Sequence, residues 1–299
     1  MIDKELINQL EQLAKRIRLG IIHTGYLAGK NGAHFGGSLS PVEILAVLYS
    51  CFVSFDKNDM EHRDRVILSK GHAALAHYCT LYECGIMTKA DLDSFEQNGS
   101  DIVAHAKRNL SRGLDFSGGS LSLGTSFSVG VAHACKRKGL DNHIYTLIGD
   151  GEMNEGLIWE ALMFAGHNRL DNLTIIVDHN HLQADGTIEE VMDTAPLEDK
   201  LKAFGFDVIQ VDGHSVNALY EAFSQRPNGR PMAIIAETVK GKGVSFIENK
   251  ARWHHSSLNE ARYQKALKDL GEEVENGQYG CSTICRLRTG SGLIWDVLA

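Results

Sequence analysis

The feature that most constrains the fold is a series of five short apolar segments separated by stretches with helical periodicity. The apolar segments cover residues 65–69, 143–148, 173–177, 207–211 and 233–238. Helical patterns cover residues 4–28, 73–83, 122–138, 154–168 and 215–225. Apolar, β-branched strands that alternate with helices are typical of a parallel sheet covered on both faces. The chain is therefore predicted to have an α/β fold, a mostly parallel sheet with helices on both faces. A Ser-Pro-Val-Glu sequence at 40–43 is predicted to form a capping box that opens a further helix through about residue 52.

Polar and glycine residues follow each predicted strand. These segments are residues 70–72, 149–151, 178–180, 212–214 and 239–241. Ligands of open parallel sheets bind beyond the carboxyl ends of the strands. The functional site is therefore predicted at this edge of the sheet.

Two of these strand ends carry residues suited to a metal ion. Asp150 lies between two glycines, after an apolar strand and before a helix. Glycine allows a phosphate to approach the backbone, and a helix N-terminus favours an anionic group. Asn180 and the carbonyl of Leu182 follow the next strand. Since Mg²⁺ takes one or two carboxylates together with carbonyl and phosphate oxygens, these three residues are predicted to bind Mg²⁺. A purely structural Gly-Asp-Gly turn is the alternative.

The segment 149–186, which contains both strand ends, resembles the thiamine-diphosphate fingerprint of transketolases. Four further segments match the family in order along the chain. Residues 32–40 resemble its GHPG segment, 69–73 its SKGHA segment, 117–124 its STGSLGQG segment and 253–255 its WHG segment. The resemblance covers about residues 10–265.

The resemblance implies a role for each matching position. It places Mg²⁺ on Asp150, Asn180 and the Leu182 carbonyl. It places thiamine diphosphate against His72, Gly119, Ser120, Leu121, Gly151, Glu155, Asn180 and His254. It makes His34, His72, His105 and His254 the catalytic histidines, with His34 and His105 facing the hydroxyls of the donor sugar. Glu155 would also lie near a subunit contact, although a carboxylate at the start of a helix is favourable in any protein.

The implied activity is transfer of a two-carbon ketol unit from a ketose or ketose phosphate to an aldose, dependent on thiamine diphosphate and Mg²⁺. Three departures from the family pattern are Phe35 in place of proline, His255 in place of glycine, and Ser122-Leu123 within the GQG motif. They are expected near the substrate channel, where they would alter donor specificity.

In this family, the glutamate that activates the aminopyrimidine ring lies in a second domain. Because the resemblance ends near residue 265, residues 1–275 are predicted to form the diphosphate-binding domain. The second domain is expected on a separately encoded partner subunit, in an assembly such as a heterotetramer. Residues 276–299, rich in Gly, Ser, Thr and Arg, are predicted to be a tail that is mobile or contacts the partner.

Composition excludes several other classes of protein. The net charge is −8 and the basic residues are scattered, which disfavours nucleic-acid binding. No apolar run approaches the roughly 18 residues of a membrane span, and the N-terminus is charged. The six cysteines, mostly within apolar patterns, are predicted to be reduced, as in a cytoplasmic protein.

Three alternatives stay open beside the transketolase assignment. The first is the equivalent half of another thiamine enzyme, resembling deoxyxylulose-phosphate synthase or pyruvate dehydrogenase. The second is a non-catalytic paralogue that binds the cofactor. The third is a zinc hydrolase, but the chain has no HExxH motif, and Cys281 and Cys285 lack a second cysteine pair. No GxGxxG motif follows an early strand, which disfavours a nicotinamide-binding domain.

Overall fold

The computed structural model describes residues 2–225 and 229–272, together with two short strands at 288–289 and 292–293. Its main sheet has five strands: β1 (Arg65–Leu68), β2 (Ile144–Gly149), β3 (Leu173–His179), β4 (Asp207–Asp212) and β5 (Met232–Glu237). Their order is β1-β2-β3-β5-β4, and every neighbouring pair is parallel. The predicted parallel sheet is confirmed, with strand ends shifted by one or two residues.

The described α-helices lie before, between and after these strands. They are α1 (Lys4–Leu27), α2 (Phe35–Leu39), α3 (Val42–Cys51), α4 (Ala74–Glu83), α5 (Lys89–Asp93), α6 (Leu123–Lys138), α7 (Gly156–His167), α8 (Ile188–Val191), α9 (Leu197–Ala203), α10 (Val216–Ser224) and α11 (Glu260–Asp269). The short strands β6 (Arg288–Thr289) and β7 (Gly292–Leu293) pair antiparallel. The rest of the predicted tail 276–299, including both of its cysteines, lies outside the described residues.

The sheet separates two hydrophobic cores. Successive strand residues point to opposite faces, so Ile176 packs in one core whereas Ile175 and Val177 pack in the other. Helices α1, α3, α4 and α10 cover the face of Ile176, and α6, α7 and α9 cover the opposite face. Because both faces are buried, the strands carry continuous apolar runs, as parallel sheets require. The predicted α/β architecture is confirmed.

The predicted capping box at the start of α3 is wrong. The residue preceding the helix is Pro41, and no side chain caps it. The Ser40 hydroxyl instead donates to the Asp178 carboxylate at 2.6 Å. Glu43 is buried and pairs with Arg18 at 2.6 Å and with His214 at 3.0 Å. Both side chains of the expected box therefore serve tertiary contacts, which local spacing cannot reveal.

Two properties expected from composition can be compared with the structure. Among the helices of the described residues, none has the length and apolar character that a membrane crossing requires. Cys79 and Cys135 are free thiols, but Cys84 is disulfide-bonded. The prediction that all six cysteines are reduced is wrong for Cys84, because an apolar pattern predicts burial and does not show which thiols meet.

Candidate cofactor and active site

The predicted metal ligands meet where β2 and β3 end. Gly149 and Asp178 are paired in register, so the residues that follow them start from adjacent points. The Asp150 carboxylate accepts the His181 N–H at 2.6 Å and the Gly151 N–H at 2.8 Å. The Asn180 amide oxygen accepts the Leu182 N–H at 3.2 Å. We call Asp150, Asn180 and the Leu182 carbonyl the strand-end site.

The strand-end site has the donors and the electrostatics of a cation site. Asp150 is 2% exposed and Asn180 is 4% exposed. Burial, and next the charge of Asp178, raise the pKa of Asp150. A cation bound beside Asp150 would oppose both effects and stabilise the ionised carboxylate. Carboxylate, amide and carbonyl oxygens are hard donors of the kind that Mg²⁺ takes. The residues therefore fit a hard divalent cation.

A buried ion pair lies beneath the strand-end site, and sequence analysis did not assign a role to it. Asp178 is fully buried and pairs with Lys70, which is 7% exposed. The hydroxyls of Ser40 and Thr238 also donate to Asp178. Although burial opposes ionisation, the Lys70 ammonium and these donors hold the pKa of Asp178 below its usual range. The pair fixes the ends of β1 and β3 against each other.

Lys240 is a second lysine that sequence analysis missed. Its ammonium donates to the carbonyls of Leu182 at 3.1 Å and Gln183 at 2.7 Å. Burial, and next the charge of Lys70, lower the pKa of Lys240 to about 8. A carbonyl oxygen has two lone pairs, so Leu182 retains one for a metal ion. A positive charge beside the strand-end site suits a phosphate. The sequence feature that could have identified Lys240 is its position in the Val239-Lys240-Gly241 segment after β5, because ligands bind beyond the carboxyl ends of parallel strands.

Glu152 connects three segments around the strand-end site. It is 3% exposed and accepts from the Ser69 hydroxyl, from the Ser122 N–H at 2.7 Å and from the Gly149 N–H at 3.2 Å. These donors come from the end of β1, the loop before α6 and the end of β2. Glu152 therefore positions the loop that carries Gly119 relative to the strand-end site.

Beside the strand-end site lies a group of imidazoles that we call the histidine cluster. Its members are His34, His72, His105, His254 and His255. The backbones of Ala33 and Ser256 bond to each other at 2.9 and 3.1 Å, which brings the loop before α2 against the loop after residue 253. All four predicted catalytic histidines therefore meet at one place.

Ring distances show how tightly the histidine cluster packs. The His34 ring centroid lies 4.8 Å from His72, 5.1 Å from His105 and 5.5 Å from His254. The His72 centroid lies 5.1 Å from His105 and 4.6 Å from His254. His255 stands 4.6 Å from His34. The cluster is thus one continuous surface.

Three imidazoles of the histidine cluster, those of His34, His72 and His254, are held neutral. Burial is the main cause; neighbouring histidines add to it at His34 and His72, and the charges of Lys240 and Lys70 add to it at His254. Together they lower the pKa of His34 to about 2, of His72 to about 3 and of His254 to about 4. A neutral imidazole has one N–H donor and one nitrogen acceptor. The cluster can therefore both donate hydrogen bonds to hydroxyl groups and accept from them.

His105 and Gly119 face each other across Gly71. The His105 Nδ1 atom is buried and has no hydrogen-bond partner among the described residues. A Cβ atom on Gly71 would lie 2.9 Å from that nitrogen and 3.1 Å from the Gly119 nitrogen. The space is therefore closed to any side chain larger than that of glycine. Ser120 and Leu121 continue the same loop, and their cofactor role stays a prediction.

The two remaining predicted cofactor residues lie in different surroundings. Gly151 faces the side chain of Gln183, which would lie 2.8 Å from a Cβ atom placed on Gly151. The Gln183 Nε2 atom is buried without a hydrogen-bond partner in the described part of the chain. Glu155 is exposed at the start of α7. Its predicted roles, in cofactor binding and at a subunit contact, stay predictions.

The three departures from the family pattern differ in their surroundings. Phe35 is fully buried in the core, with its ring 6.2 Å from that of Trp253; it directly follows His34, and its expected place near the channel stays a prediction. Ser122 is also buried, and its N–H bonds to Glu152. Its neighbour Leu123 is 48% exposed. Of the three departures, only His255, exposed and in contact with His34, belongs to the cluster.

Comparison with known proteins supplies independent findings. The family model "Transketolase, thiamine diphosphate binding domain" matches residues 10–278. A 6-deoxy-6-sulfo-D-fructose transketolase subunit from Clostridium sp. (strain MSTE9) is 42% identical over 250 residues, which cover 82% of this chain and 91% of that protein. An apulose-4-phosphate transketolase subunit from Actinobacillus succinogenes is 38% identical, covering 89% of this chain and 97% of that protein.

Larger relatives match over less than half of their length. Human transketolase is 34% identical, and the match covers 92% of this chain and 44% of that protein. The crystal structure of transketolase from Campylobacter jejuni superimposes with a TM-score of 0.84 at 28% identity, covering 92% of this chain and 44% of that one. The chain thus spans less than half of these transketolases and nearly all of the two proteins named as subunits.

Proposed function

The chain belongs to the transketolase family, and on that premise we propose that it is the diphosphate-binding subunit of a two-component transketolase. The proposed reaction moves a two-carbon ketol unit from a ketose or ketose phosphate to an aldose. One observation carries the proposal: the strand-end site and the histidine cluster meet at the same edge of the sheet. The oxygen donors suit a metal–diphosphate group, and the imidazoles suit a polyhydroxylated substrate.

Asp150, Asn180 and the Leu182 carbonyl would hold Mg²⁺ in this proposal. Lys240, beside them, would face the diphosphate, since an ammonium favours phosphate oxygens. When bound, thiamine diphosphate supplies the stabilised carbanion on which ketol transfer depends. This chain supplies the position and the charge balance of the diphosphate end.

The histidine cluster would orient the substrate and move protons. A neutral imidazole can accept a proton from a sugar hydroxyl and return it later, as general acid–base catalysis requires. His34 lies at the centre of the cluster, within 5.5 Å of the rings of the other four histidines. His34 and His105 would face the donor hydroxyls, and His72 and His254 the cofactor.

A separately encoded partner subunit is the second part of the proposal. Two similar proteins that this chain covers almost completely are named as transketolase subunits. In addition, α6 and α7 pack together and expose apolar side chains: Leu123, Phe127, Met163 and Phe164 are 39–58% exposed. Exposed apolar groups on adjacent helices mark an interaction surface. A heterotetramer with sites at subunit interfaces satisfies both observations.

Recombination of the purified proteins tests the proposed function. The chain would be assayed for ketol transfer by itself and with the product of an adjacent reading frame that resembles the other half of transketolase. We expect no turnover by either protein on its own and full turnover by the mixture. Replacing Met163 and Phe164 with Gln should weaken the association, whereas replacing exposed Glu160 on α7 with Gln should not. Full turnover by the rigorously isolated chain would contradict the proposal.

A further inference from the structure

A second group of metal-ligand side chains lies at the same strand ends but on the opposite face of the sheet. It consists of His179, His181 and Glu237, which we call the His₂Glu group. His179 and Glu237 are register partners on β3 and β5. Because side chains alternate along a strand, His179 points away from the face where Asp178 binds Lys70. The group is thus separate from the histidine cluster and from the strand-end site.

The three side chains already converge on one point. The Glu237 carboxylate lies 2.8 Å from His179 Nδ1 and 2.8 Å from His181 Nε2. The two imidazole centroids are 4.0 Å apart, and the ligand atoms of all three residues lie within 4.8 Å of one another. Gln210 donates to the same carboxylate at 2.9 Å and orients it. A zinc ion with ligands at about 2.1 Å separates its tetrahedral donors by about 3.4 Å, so each of the two N···O distances would have to widen by about 0.6 Å to admit one.

The backbone holds His181 in an uncommon conformation. Its φ is +61°, in the left-handed region that non-glycine residues seldom adopt. The His181 N–H donates to the Asp150 carboxylate at 2.6 Å, and the His181 ring forms a hydrogen bond with Glu237. Such strain persists only where surrounding contacts impose it. Here the contacts direct the imidazole to the His₂Glu group.

A cavity of about 320 Å³ adjoins the His₂Glu group. Besides the three ligands, its lining includes the carboxylates of Glu189, Asp193 and Glu198, and no lysine or arginine is among the described residues that line it. Clustered carboxylates raise the local concentration of cations. The cavity also leaves room for water or a small anion at a fourth coordination position. Charge and space therefore both favour a metal ion with an open position.

We propose that His179, His181 and Glu237 form a second metal site, which binds one Zn²⁺ per chain. Two imidazoles and one carboxylate with an open position are a zinc ligand set. Mg²⁺ prefers an octahedron of oxygen donors, so this site selects against the cation proposed for the strand-end site. The inference does not depend on the proposed transketolase function, because it rests on a different face of the sheet.

Equilibrium dialysis of the full-length chain against Zn²⁺ tests the site, and the visible absorption of bound Co²⁺ tests its geometry. We expect one tightly bound Zn²⁺ per chain, and Co²⁺ bands typical of tetrahedral coordination. His181→Ala and Glu237→Gln should each weaken Zn²⁺ binding at least about tenfold, as loss of a metal ligand does. A tenfold excess of Mg²⁺ should leave Zn²⁺ bound.

Three matched variants show whether the bound ion lies elsewhere. His62→Ala removes a histidine that pairs with the carboxylate of Asp59 at an exposed position, and it should leave Zn²⁺ affinity unchanged. His254→Ala disrupts the trio of His34, His72 and His254, whose ligand atoms also lie within 4.8 Å of one another, and it too should leave the affinity unchanged. Lys240→Met, which removes the ammonium that bonds to the Leu182 and Gln183 carbonyls, should weaken thiamine diphosphate binding and keep Zn²⁺, which separates failure of this inference from failure of the proposed function.

Three outcomes would overturn the second metal site. They are absence of tight Zn²⁺ binding by the folded chain, retention of full affinity in both His181→Ala and Glu237→Gln, and loss of affinity in His254→Ala alone. Circular dichroism of each variant establishes that it is folded before its affinity is compared. Glu237→Gln keeps the size of the side chain and one acceptor oxygen, so it serves if His181→Ala fails to fold.

Discussion

The strand-end site and the histidine cluster are neighbours, yet they are built in different ways. Asp150 and Asn180 follow adjacent strands whose last residues are in register, so the sheet alone brings them together. The histidines come from four loops far apart in the chain, and a backbone bridge between Ala33 and Ser256 completes the arrangement. The comparison teaches that strand order alone can bring oxygen donors suited to a metal ion together, whereas a cluster of histidines depends on how loops fold over the sheet.

The two regions also differ in charge. Beneath the strand-end site, Asp178 and Lys70 form a buried ion pair. In the histidine cluster, burial keeps His34, His72 and His254 uncharged. Since removal of one partner leaves a buried charge unpaired, the first region should tolerate substitution poorly. Neutral imidazoles leave no such charge behind, so the second region should lose function before it loses stability.

The largest expected effect is on stability, from Asp178→Asn. This change keeps the shape of the side chain and removes the charge that balances Lys70. The free energy of unfolding should fall by about 3 kcal/mol, as for other broken buried ion pairs, measured by urea denaturation. Asp171→Asn is the matched control, because Asp171 pairs with Lys136 at the surface with both side chains more than a third exposed. That variant should lose at most about 0.5 kcal/mol, and equal losses would show that the buried pair has no special role.

The next expected effect is on catalysis, from His34→Ala in the complex with the partner subunit. Loss of one imidazole that positions the donor hydroxyls should lower kcat by about 100-fold, because misplacing the substrate by about 1 Å costs this much. The affinity for thiamine diphosphate and the urea midpoint should change little, because His34 is half-buried and uncharged. His167→Ala, at an exposed position on α7, is the control. If the affinity for thiamine diphosphate fell by as large a factor as kcat, the histidine cluster and the strand-end site would not have separate roles, and the prediction would be wrong.

The smallest expected effect is on the pH dependence of stability. A histidine in the unfolded chain has a pKa near 6.5, whereas burial lowers the pKa of His34 in the folded chain to about 2. As the pH falls below 6.5, the unfolded chain takes up a proton and the folded chain does not, so stability present above pH 6.5 is lost. His34→Ala should reduce the loss between pH 7 and pH 5 by about 2 kcal/mol. Urea denaturation at both pH values measures this difference, and an identical loss in both proteins would contradict it.

Much of the fold was predictable because the sheet is buried on both faces. Such strands carry uninterrupted apolar runs, which the segments around Ile148, Ile176 and Ile235 show clearly. The strand-end site followed from the same pattern, because parallel strands present their carboxyl ends at one edge. The four histidines proposed as catalytic needed the family resemblance as well, since nothing in their spacing brings four loops together.

The residues that were missed share a physical reason. Lys70, Lys240 and Glu152 are buried polar groups that satisfy partners distant in sequence. A charged residue in a sequence is ordinarily expected at the surface, so its burial appears only when its partner is known. Phe35 is the reverse case, because its motif position suggested the channel and its apolar ring took it into the core. In all four residues, contacts with partners distant in sequence determine where the side chain lies.

The central claim is that the strand-end site holds thiamine diphosphate through Mg²⁺, and titration calorimetry tests it most directly. Thiamine diphosphate would be titrated into the chain with Mg²⁺ and, separately, with a chelator that removes divalent cations. The same pair of titrations would be made on Asp150→Ala and on Asp199→Ala, whose side chain is exposed on α9. We predict binding only with Mg²⁺, in the unmodified chain and Asp199→Ala, and an affinity at least about 100-fold weaker in Asp150→Ala. Equal affinity with and without Mg²⁺, or full affinity in Asp150→Ala, would contradict the claim.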